Sequence, residues 1–119
     1  MKIAIPVTDG RLSMHFGHCE RFAFFDVDPQ TGQILKKEEV LAPPHQPGFL
    51  PQWMAQQKVD LVLAGGMGGR ALGLFAQYGI RVITGAPSLE PEQIVRSYIN
   101  GTLQTGANVC DHGPDHRCG

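Results

Sequence analysis

The sequence predicts an α/β domain, a mixed five-stranded sheet with helices on both faces. Three observations carry this. The N-terminal third holds three strand patterns joined by turns, an antiparallel meander. The second half alternates strand, helix, strand and helix, the pattern of a parallel βα unit. Between its strand and its helix lies Gly65-Gly66-Met67-Gly68-Gly69, four glycines in five positions. Joining the halves gives the strand order 3-2-1-4-5, counted along the chain. The boundary between strands one and four is then a topological switch point. Open α/β sheets bind ligands there, beyond the carboxyl ends of the strands.

Taken in order, Lys2 to Val7 reads as the first strand, and Thr8 to Cys19, with little periodicity, as a loop. Arg21 to Val27 is the second strand. Asp28-Pro29-Gln30-Thr31-Gly32 is a turn in which Pro presets φ and Gly accepts a positive one. Gln33 to Leu41 is a third, more polar strand whose charges suit an edge that must resist pairing with neighbours. Ala42 to Gly48 holds three prolines and is a loop. Phe49 to Gln57 is a short helix and Asp60 to Ala64 the fourth strand. The glycine turn follows, then a helix from Arg70 to Tyr78 that ends at Gly79. Ile80 to Thr84 is the fifth strand. Glu90-Pro91-Glu92 opens the last helix, with Pro in the first turn and acids complementing the helix dipole. Its apolar stripe is Ile94, Val95, Tyr98 and Ile99. Residues 1–104 form the predicted domain and 105–119 a flexible tail without an apolar face.

The bulk numbers exclude several classes. A chain of 119 residues is one domain, able to bury roughly two-thirds of its extended surface. A net charge of −1 offers no general attraction to nucleic acid or membrane. No stretch approaches the roughly 18 apolar residues of a membrane span. The N-terminus lacks the apolar length and cleavage site of a signal peptide, so a cytoplasmic location is expected. Three cysteines without an export signal argue for thiol or metal chemistry rather than a disulfide framework.

Three constellations carry chemistry. In the glycine turn, backbone N–H groups converge at a helix start, where they lack internal partners and the dipole is positive, so anions bind. Gly66, Gly68 and Gly69 would line such a site, with Arg70 beside them. No Lys-Ser/Thr pair follows the glycines, so this is not a nucleoside triphosphate loop. The second is His15-Phe16-Gly17-His18-Cys19, in which two imidazoles and a thiol can reach one metal or cluster. Such donors suit Zn, Cu, Fe and iron–sulfur species. The third is the tail set Cys110, His112, His116 and Cys118. By type it matches a four-ligand site for Zn or Cu, although its spacing is not that of a zinc finger. No catalytic set appears. Ser13, Ser88 and Ser97 lack a nucleophile-elbow context, and the acids are too sparse for Mg²⁺-dependent phosphoester chemistry.

An N-terminal Ile-Ala-Ile-Pro-Val-Thr strand, then His-Phe-Gly-His-Cys, then Gly-Gly-Met-Gly-Gly-Arg-Ala, together resemble the dinitrogenase iron–molybdenum cofactor biosynthesis family over residues 1–104. The resemblance implies a ribonuclease H-like three-layer α/β/α fold. It also implies a non-enzymatic role, binding and carrying an anionic iron–sulfur or molybdenum-containing cluster or its precursor. The matching positions are His15, Phe16, Gly17 and His18, and Gly65, Gly66, Met67, Gly68 and Gly69. Partners would be cluster donor and recipient proteins, with the chain a monomer or weak homodimer. Two other readings stay open: Zn or Cu handling through the tail alone, and a metal-free regulatory interaction domain.

Overall fold

The structure is a computed structural model that describes residues 1–44, 46 and 48–106. It contains β1 (Lys2–Thr8), β2 (Arg11–Leu12), β3 (Arg21–Val27), β4 (Ile34–Leu41), α1 (Phe49–Gln56), β5 (Leu61–Leu63), α2 (Gly69–Gln77), β6 (Arg81–Ile83) and α3 (Pro91–Asn100). The strands form one mixed sheet in the order β4-β3-β1-β5-β6, with β2 pairing off this path with β1. β1 runs antiparallel to β3 and parallel to β5, and β5 runs parallel to β6.

The sheet therefore has six strands, not the expected five. The added strand arises at Asp9-Gly10. Both residues have positive φ, 55° and 76°. This is the backbone of a two-residue hairpin turn whose twist matches the flanking strands, and Asp-Gly is a preferred sequence for it. Val7 and Thr8 thereby pair with Leu12 and Arg11.

Burial follows the pleat. On one face Ile3, Ile5, Val7, Ala23, Phe25, Val27, Leu61 and Leu63 pack with Ile94 and Val95 of α3. On the other, Ala4, Phe22, Phe24 and Val62 pack with Met54 of α1 and Ala71 and Phe75 of α2. Helices thus cover both faces, in three layers. β1 and β3 are buried almost throughout, as strands covered on both sides must be.

Pro6 sits inside β1, where it would remove a ladder donor. Its carbonyl accepts the Ser13 N–H at 2.8 Å, so that side of Pro6 faces the β2 hairpin. β5 pairs with β1 at Ile3 and Ala4 and has ended before Pro6 is reached. The missing N–H therefore costs no β1–β5 bond. The turn after β3 is held by the Asp28 carboxylate, whose Oδ1 accepts the Gln30 N–H at 2.8 Å. That bond holds its carboxyl below the usual range.

Candidate functional site at the ends of β1 and β5

β1 ends at Thr8 and β5 at Leu63, side by side and pointing the same way. The segments that leave them build the site. After the β2 hairpin the chain turns back over the end of β5. Ser13, a buried polar residue, braces this turn. Its Oγ donates to the His15 carbonyl at 3.1 Å and accepts the His15 N–H at 3.4 Å. A single 3-10 turn over Phe16–His18 follows, closed by the His18 N–H donating to the His15 carbonyl at 3.1 Å.

Phe16 anchors this turn. It is 2% exposed and packs edge-on against Phe75 of α2 (centroids 5.5 Å apart) and tilted against Phe22 of β3 (5.6 Å). Such ring pairs add to the stabilisation from area burial alone. Its N–H donates to the Gly66 carbonyl at 3.1 Å. The histidine loop is thus bonded directly to the glycine turn. His15 and His18 flank the anchor, and both residues are exposed.

The glycine turn is fastened on its other side by β6 and the chain beyond it. Ala64 N–H donates to the Ile83 carbonyl at 2.9 Å, and Gly85 N–H donates to the Gly65 carbonyl at 2.7 Å. Gly65 is required by crowding, since a Cβ there would meet the Met14 Cα at 3.1 Å and the Met14 Sδ at 3.3 Å. Met14, 38% exposed, therefore belongs to the rim of the site, a neighbour that sequence reasoning missed. Nothing in a lone Met within a loop signals it. Met67 is fully buried and serves the core under the turn rather than its surface. Gly68 precedes α2 in an extended conformation, and no side chain caps the helix. The leading N–H groups of α2 lie at the exposed Gly69 and Arg70.

Cys19, the third candidate ligand of this loop, is half-buried. It packs against the α1/α2 side of the core. Burial pushes its thiol up to about 11, against smaller opposing effects of backbone hydrogen bonds. Without a metal beside it, such a thiol stays protonated at neutral pH and is a poor nucleophile. Among the described residues no three His, Cys, Asp or Glu side chains gather to hold a metal ion. The loop thus presents two imidazoles outward and turns the thiol in. Cys110, His112, His116 and Cys118 lie outside the described residues. The chain leading to them is placed, however: the Gly106 N–H donates to the Gly85 carbonyl at 2.7 Å, beside the bond from Gly85 to Gly65. An open cleft of about 320 Å³ lined by Met1, Asp28 and Tyr98 lies at the opposite end of β1 and shares none of these groups.

Comparison with known proteins bears on the family and the fold. Residues 1–101 match the dinitrogenase iron-molybdenum cofactor family. The chain belongs to that family. An uncharacterised protein of Methanocaldococcus jannaschii is 28% identical over 110 residues, 87% of this chain and 90% of its own. The crystal structure of PH0822 is similar at 30% identity and a TM-score of 0.82, over 91% of this chain and 96% of that one. The apo form of the orange protein from Desulfovibrio gigas is similar at 25% identity and a TM-score of 0.66, over 90% of this chain and 93% of that one. The family match covers both the histidine loop and the glycine turn, and it ends before the Cys/His tail.

Proposed function

We propose that this chain is a non-enzymatic carrier of an anionic metal–sulfur cluster, iron–sulfur or molybdenum-containing, or of its precursor. The cargo would sit between the His15–His18 turn and the start of α2. The observation that carries this reading is the Phe16–Gly66 hydrogen bond, which holds two exposed histidines against a glycine turn and a helix start that no side chain caps. The donor set fits an anion better than a bare metal ion. Backbone amides and the Arg70 guanidinium favour negative charge. The imidazoles of His15 and His18 can hold an exposed metal atom of the cargo, with the half-buried Cys19 next to His18 in the chain. Few protein ligands also suit reversible delivery, because a recipient protein has few bonds to displace.

Family membership supports the cargo class, since the family is named for the dinitrogenase iron-molybdenum cofactor. The ribonuclease H-like label, a cytoplasmic location, and cluster donor and recipient proteins as partners belong to the same proposal. So does the division into a domain of residues 1–104 and a tail. The tail's cysteines and histidines enter the proposal in one of two roles, closing over the cargo or holding Zn or Cu of their own; Gly106, which precedes them, is bonded next to the glycine turn through Gly85.

The test is metal and acid-labile sulfide content, with an optical spectrum, on anaerobically purified and cluster-reconstituted protein. Wild type, the double variant His15→Ala/His18→Ala, and a chain ending at Gly106 are run together. Metal with sulfide, lost in the double variant and kept in the shortened chain, is the expected result. Metal without sulfide that disappears only on shortening would move the function to the tail. Wild type that takes up neither after reconstitution would leave the metal-free interaction domain.

A further inference from the structure

The edge of the sheet carries an address that cargo binding does not use. Among the described residues β4 is a free edge strand of eight residues, whereas β6 at the other edge has three. Long unpaired edges invite strand addition, and charged side chains on them normally deter it. Here the charges are ordered: Ile34-Leu35-Lys36-Lys37-Glu38-Glu39-Val40-Leu41. Six of the eight are exposed, and Leu35 and Leu41 are 63% and 70% exposed.

The β3–β4 register sorts these residues by face. Lys37, Glu39 and Leu41 stand opposite Phe25, Ala23 and Arg21, on the α3 side. Lys36, Glu38 and Val40 stand opposite Asp26, Phe24 and Phe22, on the α1/α2 side. The register shifts between Asp26 and Val27, which leaves Leu35 without a partner on β3. Ile34, opposite Val27, packs on the α3 side, so Leu35 is the extra residue of a bulge and lies with Ile34 and Lys37 on that side.

We infer that β4 pairs antiparallel with β4 of a second copy of this chain, about a two-fold axis through Glu38. An axis normal to the sheet keeps each face on its own side, so a residue can meet only residues of its own face. Centred on Glu38, every pair on the α3 side is complementary. Lys37 meets Glu39 of the second copy, Glu39 meets its Lys37, and the exposed Leu35 and Leu41 meet Leu41 and Leu35. On the other side Lys36 meets Val40. The two Glu38 side chains meet at the axis, each already beside Lys36 of its own chain at 3.5 Å. Centring on Lys37 instead pairs Lys36 with Glu38 twice, sets two lysines together at the axis and puts Leu35 against Glu39. Each register thus has two Lys–Glu pairs and one like-charged pair at its axis. Only the Glu38 register also sets the two exposed leucines against each other, and its axial glutamates already have Lys36 beside them, so it is the favoured one. The charges thereby refuse most foreign strands and accept this one, which is specificity by repulsion and attraction together.

The test is sedimentation of the full chain from micromolar to millimolar concentration, with a chelator present so that metal-bridged tails do not register. Wild type is expected to reach twice the monomer mass. K37E alone sets a glutamate against Glu39 of the second copy, and E39K alone sets a lysine against its Lys37. Each should weaken the dimer by about tenfold or more. An equimolar mixture of K37E and E39K should recover the pairing as a mixed dimer, because one copy then carries glutamate at both positions and the other lysine at both. A second restoring variant is the double exchange K37E/E39K. It reverses both pairs within every copy and should recover the wild-type affinity. Circular dichroism of each variant, unchanged from wild type, separates lost pairing from lost folding. A wild type that stays monomeric at millimolar concentration overturns the inference. So does a dimer indifferent to the single changes, or a double exchange that fails to recover.

Discussion

The Phe16 N–H donates to the Gly66 carbonyl across the boundary between β1 and β5, and the Phe16 ring sits under the same joint against Phe75. One residue therefore fixes the histidine loop twice, by its backbone to the glycine turn and by its side chain to the helix that the turn begins. The imidazoles on either side inherit their position from it.

Phe16→Ala should remove the ring and leave a cavity between Phe22 and Phe75, at a cost of about 3–5 kcal/mol. Phe16→Leu keeps part of the volume and should cost clearly less. Urea unfolding reads both. If the loop serves the cargo, the leucine variant should also lose metal and sulfide retention more than its stability loss explains. Retention unchanged in a folded leucine variant would separate the loop from the site.

At Gly65 the constraint is backbone against backbone. A Cβ there lies 3.1 Å from the Met14 Cα and 3.2 Å from Leu12 Cδ2, and the first of these cannot swing aside. Gly65→Ala should push the Met14–His15 segment off the turn and cost about 1–3 kcal/mol, the usual penalty of overpacking. Gly69→Ala, where a Cβ meets nothing within 4 Å, is the matched control and should be nearly silent in the same unfolding curve.

Thr8, at the end of β1, buries an Oγ1 that has no hydrogen-bond partner among the described residues. Leaving such a group unsatisfied costs about 1–3 kcal/mol, which an apolar side chain of the same shape avoids. Thr8→Val should therefore raise the urea midpoint with an unchanged denaturant slope. A lowered midpoint would show that the hydroxyl has a partner in solution.

The Cys19 thiol gives a stability change with pH. It titrates at about 11 in the fold, against 9.0 for an unperturbed thiol. Between those values the folded chain keeps a proton that the unfolded chain releases, so stability falls as pH rises. Below about 9 the contribution is whole, and by about 11 it is largely gone. Unfolding midpoints of wild type and Cys19→Ser, followed from neutral pH to about 11, should diverge in slope over that window. Parallel curves would place the thiol in water.

Much of the fold is legible in residue patterns. Arg21–Val27 and Phe49–Gln56 declare themselves by apolar pattern and flanking turns, and their observed bounds fall within a residue of the sequence reading. β5 and β6 are shorter than their patterns suggest, three residues each: Ala64 and Thr84 lead into the segments at the site, and Asp60 and Ile80 lie at the strand starts, away from it. β2 escapes a pattern reading although Asp9-Gly10 announces a hairpin, because its strand is too short to show alternation. At the site, the histidines and glycines stand out as residue types, and the topology puts their loops together. The direction of each side chain does not stand out. His15, His18 and Cys19 look equivalent in a line of letters. The 3-10 turn separates them, leaving two histidines exposed and packing the thiol against the core. Met14 acquires its place through Gly65, a contact between distant parts of the chain that leaves no local mark.

The bonds from Gly106 to Gly85 and from Gly85 to Gly65 run in series, so the stretch after α3 and the glycine turn share one strut. A Cβ at Gly85 would collide with the Gly106 carbonyl, on a backbone whose φ of 80° side chains rarely adopt. Gly85→Ala would therefore unseat Gly106 and slacken the glycine turn together, although neither is its neighbour in sequence.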